Sequence, residues 1–355
     1  MRSEEYFKRL IAGERNGAFD RLLRALLVVL SVPYAAVLHL RALAYRTGLL
    51  RTRRLDRPVI AVGNLTVGGT GKTPTVVHLA RMLMARGKRV AVISRGYGGS
   101  LEGETLIVSD GATVFLSAAE AGDEPALLAR SVSGLMVVIG TDRHRAGLLA
   151  LQQLNPDVFI LDDGYQHLRL HRDLNILLMD CAAPLGNGRT LPAGWLREPP
   201  SAMGRADLVI YTRCSEGETP RVHGAIPHCR SGHVLTAIER LSDGLLLPLE
   251  ALQGKKMVAF AGIAHPEQFF SGLRQAGLDL ATTIPFPDHC RYGAEEVATI
   301  QAAVASTGAD HLVTTGKDAV KLSTFLPQLG RIYAAVLEMR LYDPGSLERA
   351  IDKIL

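Results

Sequence analysis

The sequence predicts an α/β protein: a doubly wound parallel sheet, a second, smaller α/β domain, and an apolar N-terminal helix. Three observations carry this. Short β-branched runs, apolar throughout, alternate with stretches of helical spacing. The run at 58–64 leads through a glycine-rich turn into a helix. A charge-free, arginine-flanked stretch precedes them both.

The elements follow in order. "PVIAVGN" (58–64), "RVAVIS" (89–94), "LMVVIG" (135–140), "DVFILDD" (157–163), "LNILLMD" (174–180) and "DLVIYTR" (207–213) read as strands buried on both faces. Helical spacing fills 73–86, 123–132 and 143–154, so βα units succeed one another. After about 228 a second set begins, with strands at 256–264, 278–286 and 311–316 and helices near 266–276 and 294–306. The expected segments are 1–57 (basic, hydrophobic, helical), 58–228 (core domain), 229–341 (smaller α/β domain) and 342–355 (a helix returning to the core). Two runs, 233–241 and 331–341, are expected to pair as a connector.

Charge is uneven. The chain of 355 residues is +5, yet residues 1–57 hold 12 Lys/Arg against 5 Asp/Glu. "ALLVVLSVPYAAVL", 14 residues interrupted by Pro33, lies between Arg24 and His39. It is short of the roughly 20 apolar residues of a spanning helix, and it lacks the plan of a cleaved signal peptide. Two readings remain: a helix lying on or partly in an anionic membrane face, or a helix buried in the fold. Arginines at both ends favour the first. The stretch is too aliphatic for a nucleic-acid arm. Cys181, Cys214, Cys229 and Cys290 show no paired spacing, which points to a reduced, cytosolic chain without structural metal.

"VGNLTVGGTGKTP" (62–74) has the strand–turn–helix context of a phosphate loop, with Thr66 where the full pattern has its first glycine. The fold expected is therefore P-loop NTPase-like. Thr66, Gly68, Gly69, Thr70, Gly71, Lys72 and Thr73 are the nucleotide-binding residues. Backbone N–H groups and a helix N-terminus would face the phosphates, and Lys72 would reach the β/γ-phosphates. Thr73 would hold Mg²⁺, assisted by Asp162 or Asp163 at the end of the 157–163 strand. Neither Asp-x-x-Gly nor Asn-Lys-x-Asp occurs, which favours ATP and catalysis over a guanine-nucleotide switch.

"SRGYGG" (94–99), "AGDEP" (121–125), "GTDRHRA" (140–146) and "GNGRTLPAGWLREPP" (186–200) should open on the carboxyl edge of the sheet. They make an expected rim of Arg95, Arg143, Arg189 and Arg197 suited to an anionic substrate. Tyr97, Gln166, His167 and Glu198 stand in the same strings or in "DDGYQH" and are grouped with that rim.

Together "GNLTVGGTGKTP", "SRGYGG", "GDEP", "DDGYQH", "LPAGWLREP", "PDH" and "KDAVKL", in this order over residues 60 to 322, resemble the tetraacyldisaccharide 4′-kinases. The resemblance implies an ATP- and Mg²⁺-dependent kinase. It would phosphorylate the glycolipid tetraacyldisaccharide 1-phosphate to lipid IVA at the cytoplasmic face of the bacterial inner membrane. The N-terminal helix would meet the membrane surface as a peripheral or monotopic element. No nucleic acid and no obligate protein partner is expected. By position the family's catalytic acid falls on Asp123 and its histidine on His289. That histidine either orients Asp123 or contacts phosphate. Cys290 stands where the family commonly has a second histidine, which implies that only His289 is essential, and Gly316 where it commonly has a glutamate, which weakens any role built on that glutamate. Two rivals stand beside this reading: a kinase or ligase for another anionic substrate, and a membrane-recruited NTPase switch.

Overall fold

The computed structural model describes residues 3–355, and Met1 and Arg2 of the basic segment lie outside the described residues. In chain order the first elements are α1 (Ser3–Ile11), α2 (Ala18–Arg46), β1 (Val59–Asn64), α3 (Lys72–Ala85), β2 (Val90–Ser94), β3 (Leu106–Asp110), α4 (Ala118–Ala121) and α5 (Asp123–Ser131). Then come β4 (Met136–Ile139), α6 (Arg143–Gln153), β5 (Val158–Leu161), β6 (Leu174–Asp180), β7 (Leu208–Thr212), β8 (His228–Arg240) and β9 (Leu245–Leu247). The last are β10 (Lys256–Ala261), α7 (Pro266–Gln275), β11 (Asp279–Pro285), α8 (Ala294–Thr307), β12 (His311–Thr315), α9 (Gly316–Ala319), α10 (Leu326–Leu329), β13 (Ile332–Leu341) and α11 (Gly345–Asp352). The α/β class expected from the alternating runs is the one observed.

By contact the chain divides into two compact units that cut across the segments expected from sequence. One holds Met1–Val76, Asp157–Gly232 and Leu341–Leu355; the other holds Val77–Pro156 and His233–Arg340.

In the first unit β1 lies between β5 and β6, parallel to both, in the registers Val59↔Phe159 and Val62↔Ile176. β7 follows β6 in parallel, and the first residues of β8 follow β7. Every residue of β1 is buried, which is why it reads as an unbroken apolar run. Leu65, Tyr165, Leu196 and Tyr211 join the core beneath the segment that follows β1. α11 adds buried Leu347 and Ile351 to this unit.

α2 departs from the short segment expected. Pro33 lies inside the helix rather than ending it, so the helix runs for 29 residues, about 43 Å at 1.5 Å per residue. By length and composition it could cross a membrane, and only 6% of its most apolar window is buried. That exposure does not fit a buried core helix. Leu22, Leu26, Val29, Val37 and Leu40 are exposed, while Tyr34 donates to the Arg197 carbonyl at 3.1 Å and Arg41 to the Gln166 carbonyl at 3.1 Å.

In the second unit β2 pairs with β4 in parallel, and β3 adds an antiparallel edge that the sequence reading missed. β11, β10, β12 and β13 form a parallel set in that order. Phe260, Tyr292, Val297 and Ile300 pack one face of it, and Phe269, Phe270 and Leu273 the other.

Candidate active site

The segment between β1 and α3 is a phosphate loop held from outside. Thr66 bridges Leu196 in antiparallel fashion, Val67 N–H donates to the Trp195 carbonyl at 2.7 Å, and Arg197 N–H donates to the Leu65 carbonyl at 2.6 Å. The 186–200 loop is thus stitched along the phosphate loop as a short ribbon. Gly68 and Gly71 take positive φ (116° and 81°), whereas Thr66 is not among the positive-φ residues. The motif's first glycine is therefore dispensable here: its position pairs as extended backbone, and the left-handed turns come later.

Asn64, which the sequence reading passed over, ends β1 fully buried. Its Nδ2 donates to the Thr66 carbonyl at 2.8 Å, and its Oδ1 lies 3.5 Å from the Lys72 ammonium. A polar residue closing an apolar strand was the available signal. Lys72 Nζ is also 3.7 Å from Asp163 Oδ1, and Arg197 donates to Asp163 Oδ2 at 2.8 Å. Asp163 itself has φ 51°, the left-handed region that a non-glycine residue occupies at a cost of order 1–3 kcal/mol. Gly164 N–H donates to the Val62 carbonyl and Gln166 Nε2 to the Asn64 carbonyl, both at 2.9 Å, tying the "DDGYQH" segment to the end of β1.

The oxygen donors present fit a magnesium ion. Asp162 is 1% exposed and Thr73 7% exposed. No cluster of three or more His, Cys, Asp or Glu suited to a metal occurs among the described residues. Mg²⁺ matches such a set, since it takes one or two protein oxygens and completes its shell with substrate phosphates and water. The Thr70 hydroxyl is buried and makes no hydrogen bond among the described residues, as suits a group kept for a phosphate.

A second cluster lies wholly within the second unit. Asp123 opens α5, where the helix dipole favours its charge. His289 Nδ1 stands 3.2 Å from Asp123 Oδ2, with Lys321 Nζ 3.4 Å from the same oxygen. Burial pushes the Asp123 carboxyl up, but the hydrogen bond from His289 and the Lys321 charge together hold it below the usual carboxylate value. His289 is raised, first by its bond to Asp123, against the opposing effect of burial. His289 also has a left-handed φ of 57°. Lys317 pairs with Glu124 at 2.5 Å, and the Tyr97 ring meets His289 edge-on at 6.1 Å. Gly122 explains how "SRGYGG" and "AGDEP" sit together: its φ is 93°, and a Cβ there would stand 2.6 Å from the Tyr97 carbonyl oxygen.

The four arginines of the expected rim divide between the two units. Arg189 and Arg197 belong to the first unit, Arg95 and Arg143 to the second. Arg143 is buried and donates to the Gly140 carbonyl at 2.6 Å within its own turn, whereas Arg95 is exposed and pairs with Glu102 at 3.2 Å. Arg189 is exposed beside Arg24 and Asn187. Glu198 is buried and paired with Arg205. His167 accepts from Arg172 at its carbonyl, at 2.9 Å. Lys321 was missed, although "KDAVKL" contains it four residues after Lys317.

A buried strand, a glycine loop with Lys72 and Thr73, and a neighbouring aspartate pair define a P-loop phosphotransferase-type protein. The family model for tetraacyldisaccharide-1-P 4′-kinase (LpxK) matches residues 23–355. This chain belongs to that family. Its curated relatives include the tetraacyldisaccharide 4′-kinase of Geobacter metallireducens, 69% identical over 95% of this chain and 99% of that one. That of Geobacter sulfurreducens is 67% identical over 99% of both. A crystal structure of LpxK from Aquifex aeolicus in complex with ATP, described as an "apo" form, is 36% identical with a TM-score of 0.81, over 94% of this chain and 99% of that chain.

Proposed function

We propose that this chain transfers the γ-phosphate of ATP to the 4′-hydroxyl of tetraacyldisaccharide 1-phosphate, giving lipid IVA and ADP. The observation that carries the reading is the family match over residues 23–355.

The residues divide the work. Gly68–Thr73 receive the triphosphate, with Lys72 drawn from Asn64 and Asp163 onto the β/γ-phosphates. Thr73 and an aspartate of the 162–163 pair would hold Mg²⁺, which would supply neutralisation of charge on the phosphates. Asp123 accepts the hydroxyl proton as the sugar oxygen bonds to phosphorus and the β–γ bridge breaks. A carboxylate held below its usual range is a weak base, which suits a loose transition state in which the nucleophile's proton is still largely in place. His289, hydrogen-bonded to Asp123, orients it. Arg189 and Arg197 are the first unit's candidates for the acceptor's 1-phosphate.

α2 supports membrane association, because its apolar residues are exposed and basic residues flank it. We place the protein at the cytoplasmic face of the inner membrane, where ATP and a bilayer-bound acceptor are both accessible.

The test is transfer of labelled γ-phosphate from ATP to tetraacyldisaccharide 1-phosphate in mixed micelles, with wild type and Lys72→Ala in parallel. Label at the 4′ position that disappears in the variant is the expected result. A folded, ATP-binding wild type that labels no lipid would sink the reading and move the search to soluble acceptors.

A further inference from the structure

Lys321 is neither exposed nor a simple surface partner. Its side chain is 10% exposed, and its ammonium lies between two carboxylates, 3.2 Å from Asp318 Oδ1 and 3.4 Å from Asp123 Oδ2. Asp318 is fully buried and fixed from behind: its Oδ2 accepts from Gly262 N–H at 3.0 Å and from the Thr315 hydroxyl at 2.7 Å. Its other oxygen is left to hold Lys321. The Tyr292 ring lies under the ammonium at 5.5 Å. A buried cation with an immobilised anchor and an aromatic floor is held in one place.

The cation also selects an oxygen on Asp123. Lys321 and His289 both contact Oδ2, so Oδ1 is the oxygen left for a substrate proton. We infer that Lys321 is a positioning residue for phosphoryl transfer, fixing the Asp123 carboxylate so that Oδ1 accepts the proton from the acceptor hydroxyl. This rests on the reading of Asp123 as the proton acceptor. The charged groups around Asp123 are His289 and Lys321 in contact, the Glu124–Lys317 pair beside it on α5 and α9, Asp318 behind Lys321, and Asp288 next to His289. Of these, the His289 hydrogen bond does most to lower the Asp123 carboxyl and the Lys321 charge comes next, so loss of Lys321 leaves His289 alone to oppose burial. Removing an opposite charge at this range raises a carboxyl pKa by about one unit or more.

The experiment compares wild type, Lys321→Met, Lys321→Gln, Lys321→Arg and Asp123→Asn in the lipid phosphorylation assay, with thermal melts to establish folding. Two neutral variants are used so that a folding failure of one leaves the other to decide. Expected for a neutral variant is a kcat at least tenfold lower, a KM for ATP within twofold of wild type, and an acidic limb of kcat/KM moved up by about one pH unit. Lys321→Arg should return the limb to its wild-type position. A folded neutral variant with wild-type kcat and an unmoved limb overturns the inference. Loss of activity with an unmoved limb and a raised KM for ATP also overturns it, since a merely structural role does that. Asp123→Asn separates the two claims: if it keeps turnover, the proton-acceptor reading fails. If it is inactive while Lys321→Gln is normal, only the Lys321 inference fails.

Discussion

Arg197 ties two segments together, donating from its guanidinium to Asp163 after β5 at 2.8 Å and from its backbone N–H to the Leu65 carbonyl, where the phosphate loop begins, at 2.6 Å. Asp163 in turn faces Lys72. Arg197→Ala removes one of the two cations on Asp163, so the remaining carboxylate charge holds Lys72 more tightly and competes with ATP for it. A charge-assisted bond of this kind is worth about 1.5–3 kcal/mol. ATP affinity measured by isothermal titration should fall about tenfold, while Arg197→Lys should fall less.

Asp123→Ala should cost turnover far more than binding. Losing a positioned proton acceptor typically costs about 10²- to 10⁴-fold in rate. Steady-state kinetics should show kcat falling by that order with ATP affinity within about twofold. A variant with near-normal turnover would remove Asp123 from the mechanism.

The Asp123–His289 pair also predicts a stability window. His289 has a raised folded pKa, so its contribution is complete below its ordinary 6.5 and is lost as pH rises through the raised value. Asp123 has a depressed one, so its contribution is complete above its ordinary 3.8 and is lost as pH falls through the depressed value. Both are in full force from about pH 4 to 6.5. The melting-temperature gap between wild type and His289→Asn should be largest there and shrink at higher pH. Asparagine is the useful replacement because it tolerates the left-handed backbone of residue 289.

Gly122→Ala should destabilise the second unit by about 1–3 kcal/mol in denaturant titration, since a Cβ would be both strained and driven toward the Tyr97 carbonyl. Activity should fall as well, because the same turn presents Asp123.

Val29→Lys and Val37→Lys replace exposed residues of α2. Surface substitutions usually change stability by no more than about 0.5 kcal/mol, so the melting temperature should hold. Co-flotation with anionic vesicles should drop if the apolar face is what meets the bilayer. Undiminished flotation would point to the basic flanks instead.

Much of this was legible in the sequence because buried parallel strands leave no room for polar residues: β1, β2 and β4 to β7 appear as apolar runs. β3 was hidden, since an edge strand with a polar face and a bulge carries no such run. α2 was underestimated because Pro33 reads as a breaker, yet it lies inside the helix. In the site, Lys72 and Thr73 announce themselves by spacing. Lys321 does not, because its importance comes from a fixed Asp318 and from a carboxylate nearly two hundred residues away. Arg143 misled for the converse reason: a charged residue in a glycine turn reads as exposed, yet its guanidinium closes a carbonyl of that turn.

The ribbon between Trp195 and Val67 has a spectroscopic consequence. Trp195 is the chain's single tryptophan, and its carbonyl is bonded to the loop expected to receive ATP. Excitation at the red edge of the indole band therefore isolates one emitter at the nucleotide loop, and its wavelength and quenching can follow ATP binding in unlabelled protein, in micelles or on vesicles.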